Sequence, residues 1–163
     1  MMMNLSSGNQ IVDEMAMINI SGNIIPQVWY RTVTRENGKP YLMAIVILAD
    51  IVYWYRPTEV RDEQTGCIVR WQKKFKGEYL QKNYSAYMKQ FRDTKRVVKC
   101  AIDRLVEIGV INRFFKDIKT EGGLLHNVMY LSLNIEKLKQ LTFPDEYPDF
   151  DISQEEISEA DGE

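Results

Sequence analysis

Apolar and polar positions along this chain alternate in different rhythms, and each rhythm predicts an element. The run "YLMAIVILADIVYWY", Tyr41 to Tyr55, is apolar at nearly every position and broken only by Asp50. No polar face can be separated from it, so it predicts a helix at the centre of a core. A membrane span needs roughly 20 apolar residues; this run is shorter and carries a charge. From Ser85 the period becomes helical. "SAYMKQF" predicts a short helix with Ser85 as N-cap and Met88 and Phe91 on one face. "RDT" reads as a tight turn, and Thr94 as the N-cap of a longer helix from Lys95 to Ile108. Its apolar stripe is Val97, Val98, Ala101, Ile102, Leu105, Val106 and Ile108. Gly109 sits where a left-handed C-terminal residue is wanted. Two β-rich runs follow, "VINRFFKDIK" and "LLHNVMYLSLN", joined by "TEGG", and they predict a hairpin. "NIEKLKQL", capped by Asn134, predicts a short closing helix.

The flanks are less regular. Residues 1–17, rich in Met, Ser, Asn and Gln, are expected to be a flexible N-terminus. Ile18 to Trp29 suggests a short strand, a turn at Ser21-Gly22-Asn23 and an extended entry to Pro26. Pro40 suits the first turn of the apolar helix, and Pro57 ends it. Val60 and Cys67-Ile68-Val69 flank an acidic turn closed by Thr65-Gly66, a hairpin or a long loop. Its outgoing arm "RWQKKFKGEY" interleaves aromatics with bases. Two readings of that arm stay open: contact with phosphates and bases, or Trp71 and Phe75 as core residues. The expected organisation is a flexible N-terminus (1–17), one α+β domain (18–141) and an acidic disordered tail (142–163).

Charge alters the picture. The net charge of −2 combines a body, residues 1–141, holding all 21 Lys and Arg against 14 acids with a tail, residues 142–163, holding nine acids and no base. Residues 70–119 carry 14 bases against five acids, a net of +9. Local positive charge of this kind is the electrostatic footprint of a nucleic-acid binder. The helix from Lys95 sharpens the point. It opens with Lys95, Arg96 and Lys99 and carries Asp103 and Glu107 only towards its far end. Bases at a helix N-terminus oppose the dipole, by about 0.3–1 kcal/mol each. A helix whose first turns enter the major groove gains from them. The DNA-contacting set expected on this basis is Thr94, Lys95, Arg96 and Lys99 on the groove. Lys89 and Arg92 hold the backbone, and Arg113, Lys116, Lys119 and His126 belong to the following hairpin.

The stretch "YSAYMKQFRDTKRVVKCAIDRLVEIGVINR" resembles the winged-helix module of replication initiators carried by phages, plasmids and integrative elements. Within that group it looks similar to the DnaD-like and phage replication protein O-like N-terminal domains. The resemblance rests on Ser85 and Phe91, on Thr94, Val98 and Ile102, and on the L-x-x-x-G-x-I pattern of Leu105, Gly109 and Ile111. It spans about a third of the chain, and the same pattern occurs in winged-helix transcription regulators. No counterpart of the family's second helical domain is expected within these 163 residues. The resemblance implies a winged helix-turn-helix with an N-terminal extension. It also implies double-stranded DNA as ligand, and replication initiation or loading ahead of transcriptional regulation as the process. A protein-interaction module without DNA binding is the rival from another class.

Enzymatic chemistry is not expected. One histidine and two separated cysteines, Cys67 and Cys100, make a poor metal set, and no phosphate-cradling glycine motif occurs. Neither a cofactor nor a metal is expected. The start "MMMNLSSGNQ" lacks the basic and apolar regions of a secretory leader, so a cytoplasmic, non-membrane protein is expected. The tail "TFPDEYPDFDISQEEISEADGE" combines acids with Phe, Tyr and Ile, which suits a solubilising tail, a strip for a replication or host protein, or a competitor for the basic face. Oligomeric state is not legible.

Overall fold

A computed structural model of the chain describes residues 5–147. Along them run α1 (Gln10–Met15), α2 (Trp29–Thr32), α3 (Leu42–Tyr55), β1 (Thr58–Arg61), β2 (Ile68–Gln72) and β3 (Leu80–Gln81). Then come α4 (Tyr84–Phe91), α5 (Lys95–Ile108), β4 (Ile111–Thr120), β5 (Gly123–Leu133) and α6 (Ile135–Thr142). The architecture is mixed α+β, with two small antiparallel sheets, β1–β2 and β3–β5–β4. Among the described residues no helix is long and apolar enough to cross a membrane.

The all-apolar run becomes α3, which buries Ala44, Ile45, Ile47, Leu48, Ala49, Asp50 and Ile51. Against it packs the inner stripe of α5: Val98, Ala101, Ile102 and Leu105, all fully buried. Val97, expected in that stripe, is exposed, because four inner residues already fill a face of that width. Thr94 caps α5 by accepting the Val97 N–H at 3.3 Å, and Gly109 ends it with φ +91°. In α4 the cap is Asn83, not Ser85: its side chain accepts the Ala86 N–H at 2.8 Å, so the helix starts at Tyr84. That start turns Tyr87 fully into the core, with Met88 and Phe91 half-buried beside it.

The hairpin forms as its pattern predicts. Ile111 pairs with Leu133, Phe114 with Tyr130 and Lys119 with Leu124, with a bulge between Lys116 and Ile118. Alternation sends Ile111, Leu131 and Met129 into the core. Tyr55 pins α3 to this sheet: its hydroxyl donates to the Leu131 carbonyl at 2.5 Å and accepts the Leu80 N–H at 3.1 Å.

The N-terminal half departs from expectation. Residues 18–26 form no strand. Trp29–Thr32 instead makes the short α2, which follows the N-cap Val28 and buries Trp29. The Trp29 indole donates to the Thr142 hydroxyl at 3.0 Å and the Thr32 hydroxyl to the Leu141 carbonyl at 2.8 Å, so α6 clamps α2. Thr142, expected to begin the tail, is therefore part of the fold; residues 148–163 of that tail lie outside the described residues. Pro40 precedes α3 and bridges Thr34. Within residues 1–17, Gln10–Met15 is helical, capped by the Asn9 side chain, and it buries nothing.

A charged network lies inside the fold. Asp50 of α3 is 4% exposed and accepts from Lys82 Nζ at 2.7 Å and from Gln90 Nε2 at 2.9 Å. Lys82 also donates to Gln90 Oε1 at 2.7 Å and stands 4.3 Å from the centre of the Tyr87 ring. Burial, together with the Asp50 carboxylate, raises the Tyr87 phenol well above its ordinary range. The network ties α4 to α3 and so fixes where α5 begins.

Candidate nucleic-acid interface

The link between α4 and α5 is only three residues long, and its geometry comes from local chemistry. Arg92, the C-cap of α4, is left-handed at φ 52°, ψ 53°. That conformation costs an L-residue about 1–2 kcal/mol, and it reverses the chain so that Asp93 can accept the Thr94 N–H at 2.7 Å. From the turn, Lys89, Arg92, Lys95 and Arg96 emerge exposed and adjacent along the chain. No acid lies in the first turn of α5, and none of these four cations has an ion-pair partner among the described residues. Lys95 is 5.9 Å from the Tyr84 ring centre. Thr94 spends its oxygen on capping, which leaves its hydroxyl proton to donate.

Further along α5 the cations are neutralised. Lys99 pairs with Asp103 at 2.9 Å, and this hydrogen bond raises the Lys99 pKa. Arg104 pairs with Glu107 at 3.0 Å and donates to the Thr34 carbonyl at 2.8 Å. Arg113, expected among the hairpin contacts, points inward from the root of β4. It donates to Asp103 at 2.5 Å and to the Tyr84 hydroxyl at 2.9 Å. Burial is the largest influence on Asp103 and pushes its pKa up. The hydrogen bonds and charges of Lys99 and Arg113 outweigh it and hold the carboxyl below its ordinary value. Burial likewise opposes the Arg113 charge, and Asp103 and Tyr84 more than restore it. Positive charge on α5 is thus free at its first turn and spent beyond it.

The hairpin cations are dispersed. Lys116 stands on the outer face of the sheet, over Phe114 (5.2 Å) and near Tyr79 and Tyr130 (both 5.9 Å). Phe114 stacks on Tyr130 at 5.6 Å and meets Tyr79 edge-on at 5.0 Å. Lys119 is exposed near the tip, and His126 lies 3.4 Å from Asp117, which also accepts the Asn127 N–H. No hydrogen bond or ion pair joins Lys116, Lys119 or His126 to the cations of α5 among the described residues.

The aromatic cluster was missing from the sequence-based set, although alternation about Phe114 and its partner strand carried the signal. The same alternation from buried Ile111 places Arg113 inward. The question left open over "RWQKKFK" divides: Phe75 packs half-buried against Tyr55 at 5.0 Å, and Trp71 is 61% exposed.

Among the described residues no cluster of three or more His, Cys, Asp or Glu is arranged to hold a metal. Both cysteines are exposed thiols. No family model matches the chain, and neither the curated proteins nor the solved structures contain a match to it.

Proposed function

We propose that the chain is a DNA-binding protein of the winged helix-turn-helix kind, with α5 entering the major groove of a duplex and β4–β5 as the wing. The observation that carries this reading is the graded charge of α5. Its first turn and the preceding turn present Lys89, Arg92, Lys95 and Arg96 unpaired, whereas each cation nearer its C-terminus, Lys99 included, has an acidic partner. A helix that docks by its N-terminal end needs its charge there. The order α3, β3, α4, α5, β4, β5 and the sheet order β3–β5–β4 support the wing assignment. Lys116 and Lys119 are its phosphate contacts. The process is replication initiation or loading for a mobile element, with transcriptional regulation as the alternative that shares the same interface.

Fluorescence anisotropy with a random duplex across a salt series tests the reading. Binding falls with a log–log slope of about −0.9 per phosphate neutralised, so four to six contacts give a slope of roughly −4 to −5. The triple reversal of Lys95, Arg96 and Lys99 to Glu abolishes binding. If the wild-type chain does not bind at low salt, or the triple variant binds as well, the proposal fails. Sites repeated at an origin then favour replication, and a single operator favours transcription.

A further inference from the structure

The ribbon β1–β2 buries almost nothing of itself. All five residues of β2 are exposed, and of β1 only Val60 is half-buried. Two strands alone are marginal in water, yet this pair shows large apolar side chains to solvent: Trp71 and Val69 at 61% and Ile68 at 40%. Trp71 and Val69 share a face by alternation, and across the ladder Trp71 meets Glu59, whose carboxylate Arg61 holds at 2.6 Å. From Arg70 to Lys76 the chain reads "RWQKKFK", four bases and no acid. Lys73 and Lys74 are tethered by backbone carbonyls of Gly77 and Tyr53, which place their ammonium groups without neutralising them. Arg70 and Lys76 have no ion-pair partner among the described residues.

We infer that this ribbon is a second nucleic-acid site, one that takes unpaired bases: Trp71 stacks on a base, Val69 packs beside it, and Lys73 and Lys76 meet the phosphates. Charge complementarity selects the partner. An uncharged protein surface would cover Trp71 and Val69 equally well but would leave a run of four cations unanswered. A polyanion with π-faces satisfies both halves of the surface. In duplex DNA the base faces are hidden in the stack, so the ribbon discriminates for single strands. The inference goes beyond the duplex reading of α5 and shares no residue with it.

The full chain is titrated into a labelled oligo-dT single strand and, separately, into a labelled random duplex. Trp71→Ala weakens single-strand binding by about 5- to 150-fold, the equivalent of the ~1–3 kcal/mol per stacked base, and leaves duplex binding within about twofold. Trp71→Phe retains most of the affinity because it keeps a ring. Lys95→Glu with Arg96→Glu gives the reverse pattern, so failure of one site is distinguishable from failure of the other. Trp29 is buried and Trp54 half-buried, so the part of the tryptophan quenching by oligo-dT that is lost in Trp71→Phe reports Trp71 directly. Unchanged single-strand affinity in Trp71→Ala overturns the inference. A wild-type dimer that Trp71→Ala converts to monomer, with no single-strand binding by either, also overturns it and makes the ribbon a self-association edge.

Discussion

Replacing Lys82 with methionine would leave the Asp50 carboxylate in the core with one donor instead of two. The side chains of the pair are 14% and 5% exposed, and Lys82 Nζ approaches Asp50 Oδ2 to 2.7 Å. In Lys82→Met only Gln90 Nε2, at 2.9 Å, would remain to the carboxylate, and Gln90 Oε1 would lose its own donor. Removing one partner of a buried pair costs about 3–5 kcal/mol, because the remaining charge keeps its desolvation penalty. Small domains total only about 5–15 kcal/mol, so the loss is a large fraction of the whole. With a urea slope of about 1.5–2 kcal/mol per molar, the midpoint falls by roughly 2 M. The companion variant Asp50→Asn with Lys82→Met removes both charges and keeps an acceptor for Gln90. It should recover at least half of the loss. Urea unfolding at pH 7, followed by far-UV circular dichroism on all three single and double variants, closes the cycle. A Lys82→Met loss below about 1 kcal/mol, or a double variant no more stable than Lys82→Met, would refute the assignment of this network as a charge-compensated anchor for α4.

Asp103→Asn frees Lys99 and Arg113 and removes a negative charge beside the proposed groove face. Duplex affinity should rise roughly two- to fivefold, on the scale of an exposed ion pair; a fall would contradict the neutralising role. Asp103 has a lowered folded pKa, so its stability contribution is complete above the unfolded value near ~3.9 and is lost as pH falls through the folded one. Solvent screening holds the stability difference between wild type and Asp103→Asn to about 1 kcal/mol or less. That difference should persist from neutral pH to about pH 4 and close below it, as acid-range denaturation would show. Arg92→Gly relieves a left-handed arginine and should gain about 0.5–1 kcal/mol in thermal unfolding, net of glycine's entropy. The same variant should lose about one unit of salt slope in duplex binding. Gly109→Ala meets open space at its Cβ, so its loss of about 1 kcal/mol or more is purely backbone strain at φ +91°; a loss below about 0.3 kcal/mol in urea would show that the left-handed cap is dispensable.

Elements whose signal is local were legible from the chain. Thr94 and Gly109 bracket α5 because a cap hydroxyl and a left-handed glycine act within one turn of the helix they end. The β4–β5 hairpin and the Asn134 cap of α6 follow from two-residue alternation and a single side chain. What was not legible depends on partners distant in sequence. Trp29 makes α2 worth forming only because Thr142 and Leu141 arrive from the other end of the chain. Asn83 and Ser85 are both capable caps, and burial of Tyr87 decides between them. At the candidate site the clustered cations were visible, but not which of them are spent. Arg113 meets Asp103 across two different elements, and only strand alternation from Ile111 pointed that way.

The Tyr55 hydroxyl has one more implication. From the last residue of α3 it bonds the Leu131 carbonyl of β5 and the Leu80 amide at once, so the chain leaves the core at Arg56 and returns to it at nearly the same place. Everything between, the ribbon included, is a cassette mounted on a closed joint. Apart from the Phe75 ring, it lends little to the core. Such a mounting lets the ribbon lengthen, shorten or change its surface chemistry while the joint, and the helix that follows it, stay where they are. A relative with a different ribbon on the same joint would keep the proposed duplex-binding face of α5 and change what else it can grasp.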